Sequence, residues 1–311
     1  MVLTVCPNTA LDRILFIDEW IAGTPMRTDR IVDCVGGKGL NSAVVLKHLQ
    51  VKTTALGFFA GSIGKELIDI LNDYKISTIP VWVDGTTRIA HVIADKKRDI
   101  HSHVIAGRLE VNPQHRKAFI DQFDNLLTKT KFIIFAGSIP KSTTPDLYAD
   151  LVAKAKAKNI PTLVDAQHEI MAEAIKAKPD IVKMNWEEFN WTFDQRSTTI
   201  EELIEESEQF YMERNLTNLV ITMSKEGILA ITQEGTYLAK APLQKPVNAA
   251  GAGDAVSSTL AVKLNEGESW EVALQYASAV SAAAVLTERT GDVWMEDVNR
   301  IQPHVVVKKI N

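Results

Sequence analysis

Phe132-Ile133-Ile134-Phe135, a helical segment from Leu147 to Lys158, then Pro161-Thr162-Leu163-Val164: from here the chain keeps a regular beat. The beat continues through a helical stretch near Ala172, the run Asp180-Ile181-Val182-Lys183, a helix from Glu201 to Glu213, and Leu219-Val220-Ile221-Thr222. Strands that are apolar at every residue are buried on both faces. Their alternation with helices predicts a parallel sheet covered on both sides. In such sheets ligands sit beyond the carboxyl ends of the strands. The first third reads differently. Ile14-Leu15-Phe16-Ile17 and Arg88-Ile89-Ala90-His91-Val92-Ile93 read as strands without adjoining helices, a small separate sheet placed as a lid over the strand ends. Two such strands with an exposed apolar face need a partner.

Size and composition bound the rest. The chain has 311 residues, 46% hydrophobic and 23% charged, enough for one large α/β domain or two average ones. A net charge of −5 argues against a dedicated nucleic-acid binder. No apolar run is long enough to span a bilayer, and Met1-Val2-Leu3-Thr4-Val5-Cys6 reads as a first strand rather than a signal peptide. A cytoplasmic protein without nucleic-acid or membrane partners is expected. Cys6 and Cys34 suit a reducing compartment, show no metal-ligand spacing and read as small packed hydrophobes. The sequons Asn190-Trp191-Thr192 and Asn215-Leu216-Thr217 are then chance matches. No linker, repeat or low-complexity segment interrupts the sequence.

The chemistry concentrates at segment ends. Val247-Asn248-Ala249-Ala250-Gly251-Ala252-Gly253-Asp254-Ala255-Val256 places two glycines and a carboxylate before a predicted helix from Ala255 to Leu264. Small residues at a helix mouth let unpaired N–H groups close on an anion, aided by the helix dipole. An aspartate repels that anion unless it has a task there. It can take the proton of a hydroxyl attacking phosphorus, or it can simply cap the helix. Other strand ends carry polar residues: Pro7-Asn8-Thr9-Ala10-Leu11-Asp12, Ala136-Gly137-Ser138-Ile139-Pro140, Asp165-Ala166-Gln167, Lys183-Met184-Asn185-Trp186-Glu187-Glu188 and Thr222-Met223-Ser224-Lys225-Glu226-Gly227. Gly36-Gly37-Lys38-Gly39-Leu40-Asn41 precedes a predicted helix from Ser42 to Leu49. It lacks the spacing and ending of a Walker A loop. Its bare backbone would let a polyol approach, with Asn41 and Asp12 bonding hydroxyls. Gly61-Ser62-Ile63-Gly64-Lys65-Glu66 reads as a turn before a helix from Lys65 to Tyr74, and His168-Glu169 has no second histidine at zincin spacing.

Pro-Asn-x-Ala-x-Asp, Gly-Gly-Lys-Gly-x-Asn, Gly-Ser-x-Pro, Lys-x-Asn-x-x-Glu and Gly-Ala-Gly-Asp occur in that order. The set resembles the ribokinase-like (PfkB) carbohydrate kinases, in particular the branch of 1-phosphofructokinase, tagatose-6-phosphate kinase and the minor 6-phosphofructokinase. The resemblance implies an α/β fold over residues 1–311: one domain with a mainly parallel central sheet flanked by helices. A small β-sheet lid is inserted at about 12–34 and 86–106, often the contact of a homodimer. It implies ATP-dependent phosphorylation of a sugar-phosphate hydroxyl. Asp254 would be general base, with an anion hole at Gly251, Ala252 and Gly253. Asp12, Gly37, Lys38, Asn41 and Ser138 would meet the substrate, with Arg27, Arg88 and Lys38 on its phosphate and Arg13 and Arg108 as further cations. Lys183, Asn185, Thr222, Ser224 and Gly227 would lie on the ATP side. Asn185 and Glu188 would help hold Mg²⁺ through water and phosphate. A monovalent cation, K⁺, binds near the anion loop in some relatives.

The departures fall on the acceptor side. Thr87-Arg88-Ile89-Ala90-His91-Val92 lacks the asparagine and lysine of the branch, and Asp165-Ala166-Gln167-His168 replaces Asp-x-Ser-Gly. Two rivals follow: a kinase for a non-phosphorylated sugar or nucleoside, and a catalytically idle sugar-binding sensor.

Overall fold

A computed structural model describes residues 1–98 and 100–311. Its central sheet has ten strands. From one edge to the other they are Val306–Lys309, Gly235–Lys240, Ile228–Thr232, Leu219–Thr222, Ile181–Asn185, Thr162–Asp165, Phe132–Ala136, Val2–Cys6, Thr53–Phe59 and Ser77–Trp82. The seven strands from Leu219–Thr222 to Ser77–Trp82 run parallel, and the last three toward the other edge pair antiparallel. Val2–Cys6 lies between Thr53–Phe59 and Phe132–Ala136, so the chain winds outward from it in both directions. Strand ends diverge at such a reversal and leave a crevice.

The apolar runs divide by the period-two alternation of a strand. Ile133 and Phe135 face a layer that includes Phe119, Phe123 and Tyr148. Phe132 and Ile134 face the other layer, with Leu260, Ala261 and Leu274. Phe58 and Phe119 stack with ring centroids 4.4 Å apart, both without solvent exposure.

A second sheet has the order Ile31–Gly36, Ala10–Ile17, Arg88–Asp95, Ile100–Ala106. Ala10–Ile17 pairs parallel with Arg88–Asp95, with Ala10 opposite Arg88 and Asp12 opposite Ala90. Ile31 and Val104 on this sheet are exposed. Among the described residues no helix is long and apolar enough to cross a membrane.

Three helix starts differ from the sequence expectation, each in the same sense. The helix expected from Ser42 begins at Lys38, because Gly37 adopts φ 94° and turns the chain directly out of Ile31–Gly36. The helix expected from Lys65 begins at Gly61, so Gly61–Gly64 is its first turn and not a separate one. The helix expected from Ala255 begins at Ala252, with Gly251 as its N-cap. Glycine's low helix propensity hides these first turns, and close packing overrides it. A Cβ on Gly64 would approach Thr87 Oγ1 to 3.0 Å and Trp82 to 3.2 Å.

Phe119→Ala should cost about 3–5 kcal/mol of unfolding free energy, by lost transfer and the cavity left under Phe58. Urea denaturation measures it, and a loss below about 1 kcal/mol would contradict the close packing of this layer.

Candidate active site

The crevice at the strand reversal is a cavity of about 990 Å³. Most of the sequence-nominated site residues line it: Asp12, Gly37, Lys38, Asn41, Arg88 and Ser138 on one side, Lys183, Asn185, Glu188, Thr222, Ser224 and Gly227 toward the other, and Gly251 to Asp254 between. Arg13, Arg27 and Arg108 do not. Arg27 lies exposed on the segment joining Ala10–Ile17 to Ile31–Gly36, outside the cavity lining. Arg13 is also turned away, ion-paired with Asp33 at 2.7 Å and Glu66 at 3.0 Å.

Two helix N-termini meet at the floor. The helices Lys38–His48 and Ala252–Asn265 pack side by side, and Ser258 Oγ donates to Ser42 O at 3.1 Å. This brings Asn41 against Asp254, where Asn41 Nδ2 donates to Asp254 Oδ2 at 2.9 Å. Asp254 is the third residue of its helix, inside the first turn and not ahead of it. The N–H groups of Ala252 and Gly253 belong to the turn whose donors have no helical partner. A Cβ on Gly253 would sit 2.8 Å from Lys183 Nζ, so a larger residue there would have to displace that ammonium from beneath the loop.

Asp165 ties these parts together. It has no solvent exposure and accepts from Lys38 Nζ at 2.8 Å, Lys183 Nζ at 2.6 Å and Ser257 Oγ at 3.1 Å. Lys38 also reaches Glu188 Oε1 at 2.7 Å. Burial opposes the charge of Asp165, but Lys183 and Lys38 hold its carboxyl well below the usual range. Lys38 likewise stays charged: burial works against it, and Asp165 and Glu188 outweigh burial. Two ammoniums thus face two carboxylates, and Asp254 is the unbalanced fifth charge. Burial pushes its pKa up to about 7 and Asp165 adds to the rise, against Lys183, Lys38 and the Asn41 hydrogen bond.

On the opposite wall burial pushes Asp12 up to about 7, with Arg88 opposing. Arg88 Nη2 donates to Asn8 O at 2.7 Å, while its buried Nε has no partner. Asn8 Nδ2 in turn donates to Ser138 Oγ at 3.0 Å. Ala90 and Ile105 make the adjoining wall apolar.

Asn185 and Glu188 form a capping box. Asn185 Oδ1 accepts from Glu188 N at 2.7 Å, and Glu188 Oε2 accepts from Asn185 N at 3.0 Å. Among the described residues no cluster of three or more acidic, histidine or cysteine side chains could cage a metal ion. Asn185 and Glu188 bring oxygen donors to the cavity wall, the ligand type that suits a hydrated magnesium ion.

Sequence reasoning noted Asp165 as a strand end but gave it no role. Its signal was a lone acid closing an all-apolar strand, which must find cations when buried. Pro242, Leu243 and Gln244, which line the cavity beyond Gly227, carried no motif.

The pfkB-family carbohydrate kinase pattern matches residues 6–297. The 1-phosphofructokinase of Bacillus subtilis is 27% identical over the whole length of both chains. Among solved structures, phosphofructokinase-2 from Escherichia coli, in complex with potassium, superposes with a TM-score of 0.88 at 20% identity, covering 97% of this chain and 98% of its own. Arabidopsis thaliana ribokinase, complexed with ribose and ATP, gives 0.77 at 18% identity, with 96% and 97% covered. The chain belongs to the pfkB family of carbohydrate kinases and has the ribokinase-like fold.

Asp165→Asn strips one charge from a buried network and leaves two ammoniums facing a single carboxylate. It should lower stability by about 3–5 kcal/mol. Urea unfolding at pH 7 tests this, and an unchanged midpoint would show that the network does not hold the site together.

Proposed function

We propose that this chain transfers the γ-phosphoryl group of ATP to a hydroxyl of a sugar monophosphate, with Asp254 as general base. The observation that carries the reading is the placement of a buried carboxylate inside the first turn of a glycine-mouthed helix, with Lys183 beneath that turn. Oδ2 of Asp254 is engaged by Asn41, which leaves Oδ1 for the acceptor hydroxyl. As the hydroxyl oxygen attacks phosphorus in line, its proton passes to Asp254, the O–P bond forms and ADP leaves. The amides at Gly251–Gly253 and the Lys183 ammonium meet charge on the phosphoryl oxygens. Asn41 supports the ionised base, since a hydrogen bond to a carboxylate favours its charged form. Bound Mg²⁺ would neutralise phosphate charge, held by way of Glu188 and Asn185 through water. Thr222, Ser224 and Gly227, with the wall at Pro242–Gln244, suit the nucleotide side.

On the acceptor side Asp12 and Gly37 suit sugar hydroxyls, and Arg88 is the cation with a free buried N–H for a phosphate. The Bacillus subtilis relative, by its name, acts on an already phosphorylated sugar, which favours the same class here. A non-phosphorylated acceptor is the second reading. It is favoured by the position of Arg27 outside the cavity and by the commitment of Lys38 to Asp165 and Glu188. The small sheet would act as a lid inserted in a single domain. Its exposed Ile31 and Val104 suit a homodimer contact.

ADP release from Mg-ATP across fructose 1-phosphate, fructose 6-phosphate, tagatose 6-phosphate, free sugars and nucleosides should be confined to a phosphosugar. Turnover restricted to an unphosphorylated alcohol would overturn that acceptor class. Asp254→Asn should keep the far-UV circular dichroism and lose about 10²- to 10⁴-fold in turnover; near-normal turnover would remove Asp254 from its role. Because the base must be ionised to accept a proton, kcat/KM should decline as pH falls through about 7. A flat profile from pH 5 to 8 would refute the assignment.

A further inference from the structure

Asn41, Val44 and His48 recur at helical spacing on one face of the helix Lys38–His48. Against that face runs the stretch 290–292, part of the loop between the helices Trp270–Ala284 and Met295–Ile301. The approach is close. A Cβ on Gly291 would come 3.1 Å from Asn41 O and 3.2 Å from Val44 Cβ. The same backbone also meets the anion loop. A Cβ on Gly251, the N-cap of the helix Ala252–Asn265, would lie 3.0 Å from Gly291 N and 3.0 Å from Thr290 Cγ2. Val293 comes next, buried in one cluster with Val45 and Ala255. The stretch 290–293 is therefore packed against both helices whose first turns carry Asn41 and Asp254.

Asp292 anchors this stretch outside the cavity. Its Oδ1 accepts from Tyr74 Oη at 2.7 Å, and His48 Nε2 lies 3.0 Å from the same oxygen. The imidazole stands edge-on to the Tyr74 and Trp294 rings, with centroids 6.1 and 5.7 Å away. Tyr74 is the C-cap of the helix Gly61–Asp73, and His48 ends the helix Lys38–His48. Helix carboxyl ends offer an acid no favourable dipole, and a carboxylate as buried as Asp292 needs donors. Burial and then Asp292 push the Tyr74 hydroxyl above its ordinary pKa, so it remains a donor, with Arg289 opposing. None of Asp292, His48 and Tyr74 lines the cavity. We propose that Asp292 is a positioning residue for phosphoryl transfer: pinned by Tyr74 and His48, it fixes the 290–291 backbone on which the Asn41 turn and the Gly251 cap both rest. The spacing between the base, held by Asn41, and the anion hole, opened by Gly251, then depends on a carboxylate outside the site.

The inference rests on the kinase reading for its rates, so a second readout stands apart from turnover. Asp292→Leu removes the acceptor oxygen at similar size. It should lower kcat by about 10- to 100-fold, the scale on which remote misplacement acts, with KM for ATP and for the preferred acceptor held within about two-fold. Asp292→Asn keeps an oxygen that both donors can reach and should restore kcat to within about three-fold of the wild type. A kcat unmoved by leucine, a loss shared equally by asparagine, or a rise in KM alone would overturn the proposal. Hydrogen–deuterium exchange of the unliganded chain is the second readout. In Asp292→Leu the 250–256 backbone should exchange faster than in the wild type, with the helix Trp270–Ala284 unchanged. Unchanged exchange at 250–256, or a rise spread equally over Trp270–Ala284, would reduce Asp292 to a structural residue and overturn its positioning role. If the wild type turns over no acceptor in the panel, the kinase reading alone fails and the exchange measurement decides the brace. Should Asp292→Leu not fold, Tyr74→Phe takes its place in both measurements, since it deletes one donor to the same oxygen. Lower kcat at constant KM and faster exchange at 250–256 are expected there, and a wild-type result in either overturns the proposal.

Discussion

Burying a charge is costly unless opposite charges go with it, and Asp165 is buried completely. Its two lysines come from places that share no secondary-structure element: Lys38 from the first turn of one helix, Lys183 from a strand of the central sheet. The carboxylate thereby sets the spacing of the two ammoniums. It fixes Lys183 under the anion loop and draws Lys38 toward Glu188, which in turn caps the helix Trp186–Phe193. The floor of the cavity is one connected electrostatic unit. Burial is the first cause of the raised Asp254, and the charge count adds to it, since two cations already answered by two anions leave a third carboxylate without full compensation.

The central sheet was legible because runs such as Phe132–Ala136 are apolar at every position, a pattern that suits a layer covered on both faces. The site was legible for a related reason. Parallel topology sends all the polar strand ends to one edge, so short motifs that mean little singly converge in space. What the sequence obscured is local. Glycine at the starts of three helices reads as turn, and nothing in the residue string reveals that Gly253 makes room for Lys183 or that Gly64 packs on Thr87. Arg27 lies outside the cavity lining, and a basic residue near a lid says nothing of which way an exposed segment runs. Asp165 was underrated because its partners are distant in sequence, and pairing across such distances is a property of the fold alone.

The two walls of the cavity differ in kind. The floor is built from a charge network and two helix mouths that tolerate little change. The wall beside Arg88 is made by two strands of the small sheet, Arg88–Asp95 and Ile100–Ala106, where Ala90 and Ile105 are single side chains standing on a separate scaffold. Substitutions there alter shape without disturbing Asp165 or Asp254. This division suits an enzyme family that keeps one reaction while varying the alcohol it phosphorylates.

The strand Val2–Cys6 is flanked by Thr53–Phe59 on one side and Phe132–Ala136 on the other. On a ribosome, the first neighbour emerges early and the second only after a long intervening stretch has been made. At roughly 5–20 residues per second, one edge of this buried strand stays open for on the order of several seconds. That edge is apolar and hydrogen-bond hungry, the kind that pairs with whatever strand it meets. The winding that later creates the crevice thus leaves the nascent chain open to mispairing until Phe132–Ala136 has been made.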